Sequence, residues 1–317
     1  MAAMAAVLFA VALWLPRGPH EEPLRVAVGI WPGAESLLLA RQRGLLPEDR
    51  FQLVELSWAS AAYRAFDNGV VDAAVLSLDG VLRLLESGEA LRVIYVMDVS
   101  EGADAVLARE GTTSVADLRG KRVGVDVRGS GMRLLSKTLA SAAIELSDVD
   151  IVPLLDPEME QTFLQGDLNA VVVSEPWMTK VLAKRARALA DSNSISPPIY
   201  RVLVVTERAL RERKTDLVTL VRAHLAMVPV LRAGVSGKDM DAILRREGLA
   251  RDEFAKALER VRHLDVVENR SMLGKGGNGI AAAIAELDVQ LAGDLHGASV
   301  PRAEDWVDDS ILEAAEP

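Results

Sequence analysis

Two predicted turns between a strand and a helix offer the clearest binding chemistry in this sequence. In the first, an apolar strand at residues 122–127 is followed by Arg128, Gly129, Ser130 and Gly131, and then by an apolar helical pattern. The first backbone N–H groups of a helix have no partner within it, so they are free to bind an anion or another acceptor. The glycines also fit an ordinary loop, and that structural alternative stays open.

The second turn follows an apolar strand at residues 170–173 and consists of Ser174, Glu175, Pro176 and Trp177. A carboxylate and an indole ring suit a cationic ligand, although the indole can instead pack the following helix. Open α/β sheets bind ligands at the carboxyl ends of their parallel strands. We therefore expect one crevice to hold both turns.

Other aromatic and acidic side chains lie at or near the ends of predicted strands. An aromatic ring there can also cap the sheet, and a carboxylate can also cap a helix or hydrogen-bond within a turn. Aromatic faces combined with carboxylates favour a cationic amine or a quaternary ammonium compound. The candidates are Trp31, Trp58, Asp79, Asp104, Glu175 and Trp177.

An anionic ligand is the alternative. Arg128 is the obvious positive side chain at these turns, and the N–H groups of residues 129–131 can bind a sulfonate or nitrate. The sequence therefore favours a cationic or neutral polar nitrogenous solute first, and a small anion second.

The composition narrows the class of protein. The chain has 317 residues, of which 50% are hydrophobic, so it can form two lobes with buried cores. A formal charge of -10 argues against nucleic acid as a partner, because no basic stripe is present to neutralise phosphates. The absence of cysteine from the sequence excludes thiolate catalysis, a cysteine zinc site, disulfides and a lipid-anchored cysteine.

Familiar catalytic and metal-binding motifs are missing from the sequence. The histidines His20, His224, His263 and His296 lack metal-ligand spacing, and we expect them on the surface or on helices. No Gly-x-Ser-x-Gly elbow occurs, and the glycine-rich segment at residues 273–280 lacks the order of a phosphate loop. We therefore expect no catalytic residue, no metal and no cofactor.

The N-terminal segment is an apolar run at residues 2–15 that ends at Pro16 and Arg17. It resembles the core of a signal peptide and, at 14 residues, is shorter than the roughly 20 that a membrane-spanning helix needs. We predict that residues 1–22 are a signal peptide or an N-terminal membrane anchor, and that the protein is exported.

Short β-branched runs alternate with amphipathic helical patterns from Leu24 onward. This alternation indicates an α/β protein with parallel sheets and covering helices. The first three helices are expected to end at Gly44, Gly69 and Gly88. The predicted strands span residues 24–30, 51–56, 73–76, 91–97, 105–108, 122–127, 150–154, 170–173 and 201–205.

In the last third of the chain, the alternation of strands and helices gives way to helices. After Glu207 the pattern predicts helices alone through Gln290. The basic run at residues 184–187 is expected on the solvated face of a helix.

Two segments are predicted to cross between lobes, at residues 98–102 and 192–200, because polar turns or prolines interrupt the pattern there. Lobe 1 then consists of residues 23–100 and the mostly helical residues 201–317, and lobe 2 consists of residues 101–200. Two crossing strands form a hinge, and closure of hinged lobes suits ligand capture.

These features resemble the substrate-binding proteins of ABC importers in the nitrate, sulfonate and taurine (NitT/TauT) group. The resemblance runs from about Leu24 to Leu312 and rests on the order and spacing of several segments. It implies a two-lobed type II periplasmic-binding-protein fold, and a non-enzymatic receptor that delivers a small solute to a membrane permease. The segments are VAVGIWPGAESLLLARQRGLL, VDAAVLSLD, DVSEGADAVLAREGTTSVADLRGKRVGV, LNAVVVSEPW and DDSIL.

The resemblance also implies where the ligand lies. To the two turns it adds the turn after the first strand, the strand end after VDAAVL, and the crossing between the lobes. It further implies a monomer in the periplasm or at the cell surface, anchored or free. The residues it adds are Trp31, Pro32, Gly33, Glu35, Ser77, Asp79, Glu101 and Asp104.

Two other functions stay open. Enzymes on the same fold make a pyrimidine precursor of thiamine or act in menaquinone synthesis, and a ligand-sensing module of a signalling system can have the same two lobes. The absence of cysteine, and of histidine at the predicted turns, argues against an enzyme.

Overall fold

A computed structural model describes residues 22–57, 59–274, 279–291 and 302–315, whose strands form two sheets. Lobe 1 contains the six-stranded sheet, in the order β11-β4-β10-β3-β1-β2, and lobe 2 the five-stranded sheet, in the order β7-β6-β8-β5-β9. The strands are β1 (Leu24–Gly29), β2 (Phe51–Leu56), β3 (Ala73–Ser77), β4 (Leu91–Ser100), β5 (Asp104–Ala108), β6 (Arg122–Val125), β7 (Asp150–Pro153), β8 (Ala170–Ser174), β9 (Arg187–Asp191), β10 (Ile199–Thr206) and β11 (Val261–His263).

Helices cover the faces of both sheets. The helices of the described residues are α1 (Glu35–Gln42), α2 (Ala59–Asp67), α3 (Leu78–Glu86), α4 (Gly131–Ala140), α5 (Asp156–Gln165), α6 (Trp177–Leu182), α7 (Glu207–Glu212), α8 (Lys214–Arg232), α9 (Gly237–Glu247), α10 (Arg251–Glu259), α11 (Val266–Leu273), α12 (Gly279–Leu291) and α13 (Ser310–Ala315).

Both sheets are mixed, so the prediction of parallel sheets is wrong for the strands beside the crossings. β1 pairs in parallel with β2 and β3, but β10 pairs antiparallel with β3 and β4. In lobe 2, β5 pairs antiparallel with β8 and β9. The reversal arises because β4 and β10 leave and re-enter lobe 1 side by side, so the chain runs through them in opposite directions.

Two strands were not expected. The prediction that residues after Glu207 are helical alone is wrong at β11, which adds to the edge of β4. The basic run at residues 184–187 lies beyond the end of α6, and Arg187 begins β9. Both strands are short edge strands whose few residues give too weak a pattern to separate them from helix.

Local sequence explains the helix ends that position the site. Gly44, Gly69 and Gly88 follow the first three helices with φ values of 75°, 65° and 89°, as predicted. Only glycine adopts this left-handed conformation without strain, so it stops each helix and returns the chain to the sheet.

The two crossings between the lobes lie side by side. The Ser100 and Ser192 hydroxyls are 2.7 Å apart, and the backbone N–H of Gly102 donates to Ser192 Oγ at 2.8 Å. Gly102 has φ of 90°, which lets the chain turn sharply between β4 and β5. The structure thus has the two-lobed α/β fold with a hinge of two crossing strands.

Parts of the sequence predictions lie outside the described residues, namely residues 1–21, Trp58 and residues 275–278. Among the described helices, no single one has the length and apolar character to cross a bilayer. The pair α8 and α9 meets that criterion jointly, with a bend of 96° between them, and α8 packs in the core of lobe 1.

Candidate ligand-binding site

A cavity of about 80 Å³ lies between the two lobes. The same measure allots roughly 10–15 Å³ to a buried water, so this arrangement of the lobes suits a solute of few heavy atoms. Strand ends of both sheets supply the walls, as the sequence predicts. Its polar and aromatic lining residues are Trp31, Tyr63, Ser77 and Arg201 from lobe 1, and Asp104, Asp126, Ser130, Asp156, Ser174 and Glu175 from lobe 2.

An arginine from the hinge dominates one wall. Arg201 lies on β10, and its Nη2 donates to Asp104 Oδ1 at 3.1 Å. Ser174 Oγ donates to the same carboxylate oxygen at 2.6 Å. The Arg201 guanidinium also lies 3.3 Å from the centre of the Trp31 ring, in a cation-π contact. The positive charge in this cavity therefore belongs to the protein itself.

A buried carboxylate fixes the Trp31 indole. Trp31 Nε1 donates to Asp98 Oδ2 at 3.1 Å, and Asp98 is fully buried. Burial raises the pKa of Asp98 to about 6, against the lowering effect of Arg201 and the indole hydrogen bond. Gly33 lies against both groups, so a side chain there would meet them. Asp98 does not line the cavity, but it orients the ring that does.

A histidine holds the same turn from the other side. His263 Nε2 lies 2.9 Å from the Gly33 carbonyl, which can only accept, so this nitrogen carries the proton. His263 Nδ1 then accepts from Arg232 Nη2 at 3.2 Å. Burial and the nearby Arg232 lower the pKa of His263 to about 4, despite the Gly33 bond. The expectation of surface or helix histidines is wrong here, because His263 is a buried residue of β11.

The second wall presents two carboxylates that form no ion pair with a described residue. Asp126 follows β6, and its Oδ2 is buried with no hydrogen-bond partner in the described chain. Asp156 begins α5, is 8% exposed, and forms no ion pair with a described residue. Burial raises the pKa of Asp156 to about 7, with further contributions from the charges of Asp126 and Asp104, although the charge of Arg201 has a lowering effect. These groups give the cavity its negative character.

Glu175 is the fourth carboxylate of the cavity, and its bonding is already satisfied. It is 1% exposed, forms an ion pair with Arg260, and accepts hydrogen bonds from the Thr179 backbone and hydroxyl. Burial raises its pKa, and the Thr179 and Arg260 interactions oppose that shift. Since Arg260 belongs to lobe 1, this pair also links the two lobes.

Tyr63 shapes the lobe 1 side. Its hydroxyl lies 2.7 Å from Ser77 Oγ and accepts from the Ser77 backbone N–H at 3.0 Å. Ser77 in turn caps α3 by accepting from the Gly80 N–H at 3.3 Å. Burial raises the pKa of Tyr63 to about 12, so the phenol stays protonated. Ser77 was a predicted ligand residue, and here it lines the cavity while it serves the helix.

The structure brings several predicted residues to this cavity. They come from five segments that are far apart in the sequence, as the strand-end argument requires. The predicted residues that line it are Trp31, Ser77, Asp104, Gly129, Ser130, Gly131 and Glu175.

Other predicted residues lie elsewhere, in pairs within the protein. Asp79 pairs with Arg133 of lobe 2, where the two side chains are 1% and 3% exposed. Glu35 is 1% exposed and pairs with Arg246. Each carboxylate lies next to the end of a strand, but its charge is compensated by an arginine from another helix.

The remaining predicted residues also lie off the cavity walls. Glu101 is exposed at the hinge and pairs with Arg262 at 2.6 Å. The Trp177 ring is covered by Lys180, whose Nζ is 3.9 Å from the ring centre. The side chain of Arg128 is exposed, and Pro32 is buried within its turn.

Four residues of the cavity were not identified from the sequence: Tyr63, Asp126, Asp156 and Arg201. The sequence places Asp126 within a strand at residues 122–127, but β6 ends at Val125, and Asp126 follows the strand and lines the cavity. Asp156 follows a predicted strand end, a signal that could have found it. Tyr63 and Arg201 lie within regular elements, and the sequence carries no local signal for their role.

No group of three or more His, Cys, Asp or Glu side chains in the described ranges is placed to hold a metal. The chemistry of this site is that of its carboxylates, one arginine, four hydroxyls and aromatic rings. A cavity of this kind between hinged lobes suits the capture of a small solute.

Residues 17–235 match the model of the NMT1-like family, so the chain belongs to the NMT1-like family. A protein of Brucella abortus, named as a binding protein, is 30% identical over 164 residues, which cover 49% of this chain and 48% of that protein. The chain spans about half the length of the curated relatives that it matches.

Solved structures share the fold over nearly the whole chain. The alkanesulfonate-binding protein SsuA of Xanthomonas axonopodis pv. citri, bound to MOPS, superposes with a TM-score of 0.74 at 20% identity, covering 91% of this chain and 100% of that one. The ligand-binding component of an ABC-type import system of Staphylococcus aureus, with zinc bound, gives a TM-score of 0.74 at 14% identity, covering 93% and 99%.

An enzyme has the same fold. The desulfurization enzyme DSZB superposes with a TM-score of 0.62 at 18% identity, covering 93% of this chain and 99% of that one. The fold alone therefore does not separate a receptor from an enzyme.

Proposed function

We propose that this protein is an exported receptor that captures a small polar nitrogenous solute, cationic or neutral, between its lobes. It then presents the solute to the permease of an ABC importer, from the periplasm or the cell surface. The family, the two-lobed fold and the binding proteins among its structural neighbours support this function. The cavity charge supports the class of ligand.

The observation that carries the ligand class is the excess of carboxylates. Among the described lining residues are four carboxylates, Asp104, Asp126, Asp156 and Glu175, and one cation, Arg201. Asp104 is paired with Arg201, and Glu175 with Arg260 from beyond the cavity wall. Asp126 and Asp156 are left, so a ligand with positive charge or N–H donors completes the site.

Binding alone is the proposed chemistry. The described lining residues include no histidine, lysine or cysteine that could act as a base or nucleophile toward a bound solute. Ser130 is 6% exposed, and its hydroxyl forms no hydrogen bond with a described carboxylate or histidine, so we assign it a hydrogen-bonding role toward the ligand. Closure of the lobes would be driven by the better fit of the ligand to the closed state.

A small anion such as a sulfonate is the second candidate. The start of α4 opens on the cavity through Gly129, Ser130 and Gly131, and a helix N-terminus attracts negative charge. The name of the Xanthomonas relative agrees with this class. Against it stand Asp126 and the ionised form of Asp156, because either carboxylate repels an anion; with a pKa of about 7, Asp156 is only partly protonated at neutral pH.

The test is a binding screen of the purified protein, freed of retained ligand by unfolding, dialysis and refolding. Thermal shift and calorimetry would compare amines, amino acids and pyrimidines with alkanesulfonates, taurine and nitrate. We expect a concentration-dependent rise in melting temperature with nitrogenous solutes, because a ligand that binds only the folded state stabilises it. A rise with sulfonates or nitrate alone would reject the proposed ligand class.

A further inference from the structure

The two indole faces that the sequence predicts for the ligand, one at the cavity and one beyond its walls, are covered by the protein's own cations. The Arg201 guanidinium lies over the Trp31 ring, and Lys180 lies over the Trp177 ring. Trp306, the third tryptophan of the described residues, is buried in the core of lobe 1. A ligand cation that depends on an indole face would have to displace Arg201 from both Trp31 and Asp104.

Tyr63 does not replace these faces. Its side chain is 3% exposed and packs against Gly80, where an added Cβ would meet the ring atoms. Its hydroxyl is engaged with Ser77. One mostly covered phenol ring is not an aromatic cage, and such a cage is what binds a quaternary ammonium group.

The polar atoms of the cavity that lack a hydrogen-bond partner among the described residues are acceptors, so they call for a ligand that donates hydrogen bonds. Asp126 Oδ2 is buried and has no partner, and Asp156 is more than nine-tenths buried with no hydrogen bond to a described residue. A buried acceptor without a donor is costly, and an N–H group on a cation is the donor that a carboxylate binds most strongly. A quaternary nitrogen has no hydrogen to donate.

We infer that the ligand bears N–H donors on its recognised nitrogen, as in a protonated primary or secondary amine or an amidinium group, and that quaternary ammonium compounds are excluded. Asp126 and Asp156 accept these hydrogen bonds from lobe 2, and Arg201 is the fixed counter-ion of Asp104. This inference rests on the proposed function, because it narrows the ligand of the same cavity.

The test is a series of cationic probes in which methyl groups replace the N–H groups one at a time at constant charge. Calorimetry at constant pH and salt would compare methylammonium, dimethylammonium, trimethylammonium and tetramethylammonium, and would then compare ethanolamine with choline. We expect affinity to fall along the series, and the loss of the last N–H to weaken binding by roughly ten- to hundredfold, because a hydrogen bond to a charged group is lost.

Variants then assign the effect to the two carboxylates. Asp126→Asn and Asp156→Asn should each reduce the preference for methylammonium over tetramethylammonium by at least about tenfold, since an amide is a weaker and uncharged acceptor. Asp167→Asn is the matched control, because this lobe 2 carboxylate is exposed and distant from the cavity lining. It should leave the preference unchanged.

The outcomes separate the two proposals. Equal or tighter binding of tetramethylammonium or choline would overturn the N–H inference and leave a receptor for cations in place. Binding of alkanesulfonates with no binding of any amine would overturn both. An unchanged preference in both carboxylate variants, with folding confirmed by circular dichroism, would also reject the inference.

Discussion

The ion pair between Asp79 and Arg133 offers a sharp test of what holds the lobes together. Asp79 begins α3 in lobe 1, and Arg133 lies on α4 in lobe 2. Arg133 Nε and Nη2 donate to the Asp79 carboxylate at 2.5 and 3.2 Å, and Nη1 donates to the Pro197 carbonyl at 2.7 Å. The pair is thus buried, bidentate and tied to the second crossing segment.

We predict that Arg133→Met lowers the free energy of unfolding by about 4 kcal/mol, because removal of one partner leaves a buried, unpaired carboxylate. In the double variant with Asp79→Leu no charge remains. It should lose only about 1–2 kcal/mol, chiefly the hydrogen bond to the Pro197 carbonyl. Asp79→Leu alone should cost about 3 kcal/mol, because it leaves the Arg133 guanidinium buried and unpaired, so the coupling free energy between the two positions is about 5–6 kcal/mol.

Urea unfolding followed by circular dichroism measures these values, and small-angle scattering measures the radius of gyration of each variant. Opening of the lobes would hydrate the unpaired Asp79 carboxylate and so relieve part of the loss in stability. We therefore also expect a larger radius of gyration for Arg133→Met than for the wild type. The matched control is Arg122 with Asp150, an exposed pair with side chains 49% and 64% accessible, whose coupling should stay below about 1 kcal/mol. The reasoning fails if Asp79 and Arg133 couple no more strongly than this control and the radius is unchanged.

Two further predictions follow from the cavity walls. Gly33→Ala should lower the melting temperature and weaken ligand binding, because the new Cβ would lie 2.5 Å from Trp31 Nε1 and would also contact Asp98. A calorimetric titration measures the affinity. Wild-type affinity would contradict this prediction, because it would show that the turn accommodates a side chain without moving Trp31. The affinity for methylammonium should rise between pH 5.5 and 8, because the pKa of Asp156 is raised from 3.8 to about 7 and the ionised form binds the cation. The same raised pKa makes the ligand-free protein lose stability as the pH rises from about 4 to 7, between the unfolded and folded pKa values of Asp156, and Asp156→Asn should flatten both profiles. Affinity that falls with pH, or an unchanged profile in the variant, would contradict this assignment.

The elements of the fold were largely predictable because each depends on nearby residues. The valine and alanine run that forms β8 is almost fully buried, as its apolar sequence indicates. Helix ends were set by single glycines with positive φ at Gly44, Gly69 and Gly88. The short edge strands β9 and β11 were missed, because pairing with a neighbouring strand, and not their own pattern, makes them strands.

The candidate site was predictable only in part. Turns that follow strands could be located, and Trp31, Asp104 and Glu175 do line the cavity. The charge balance could not be read from them, because Arg128 points to solvent while Arg201, from the middle of a strand, supplies the positive charge. The rings of Trp31 and Trp177, which were expected to contact the ligand, are covered by Arg201 and Lys180.

The sequence by itself determined the α/β class, most strands and the turns at which a ligand can bind, because periodicity and turn chemistry act over a few residues. Only the tertiary structure decided which carboxylates are free. Asp79, Glu35 and Glu175 meet arginines more than fifty residues away in the chain, whereas Asp126 and Asp156 meet none among the described residues. Charge compensation is a matter of distance in space, and folding sets that distance.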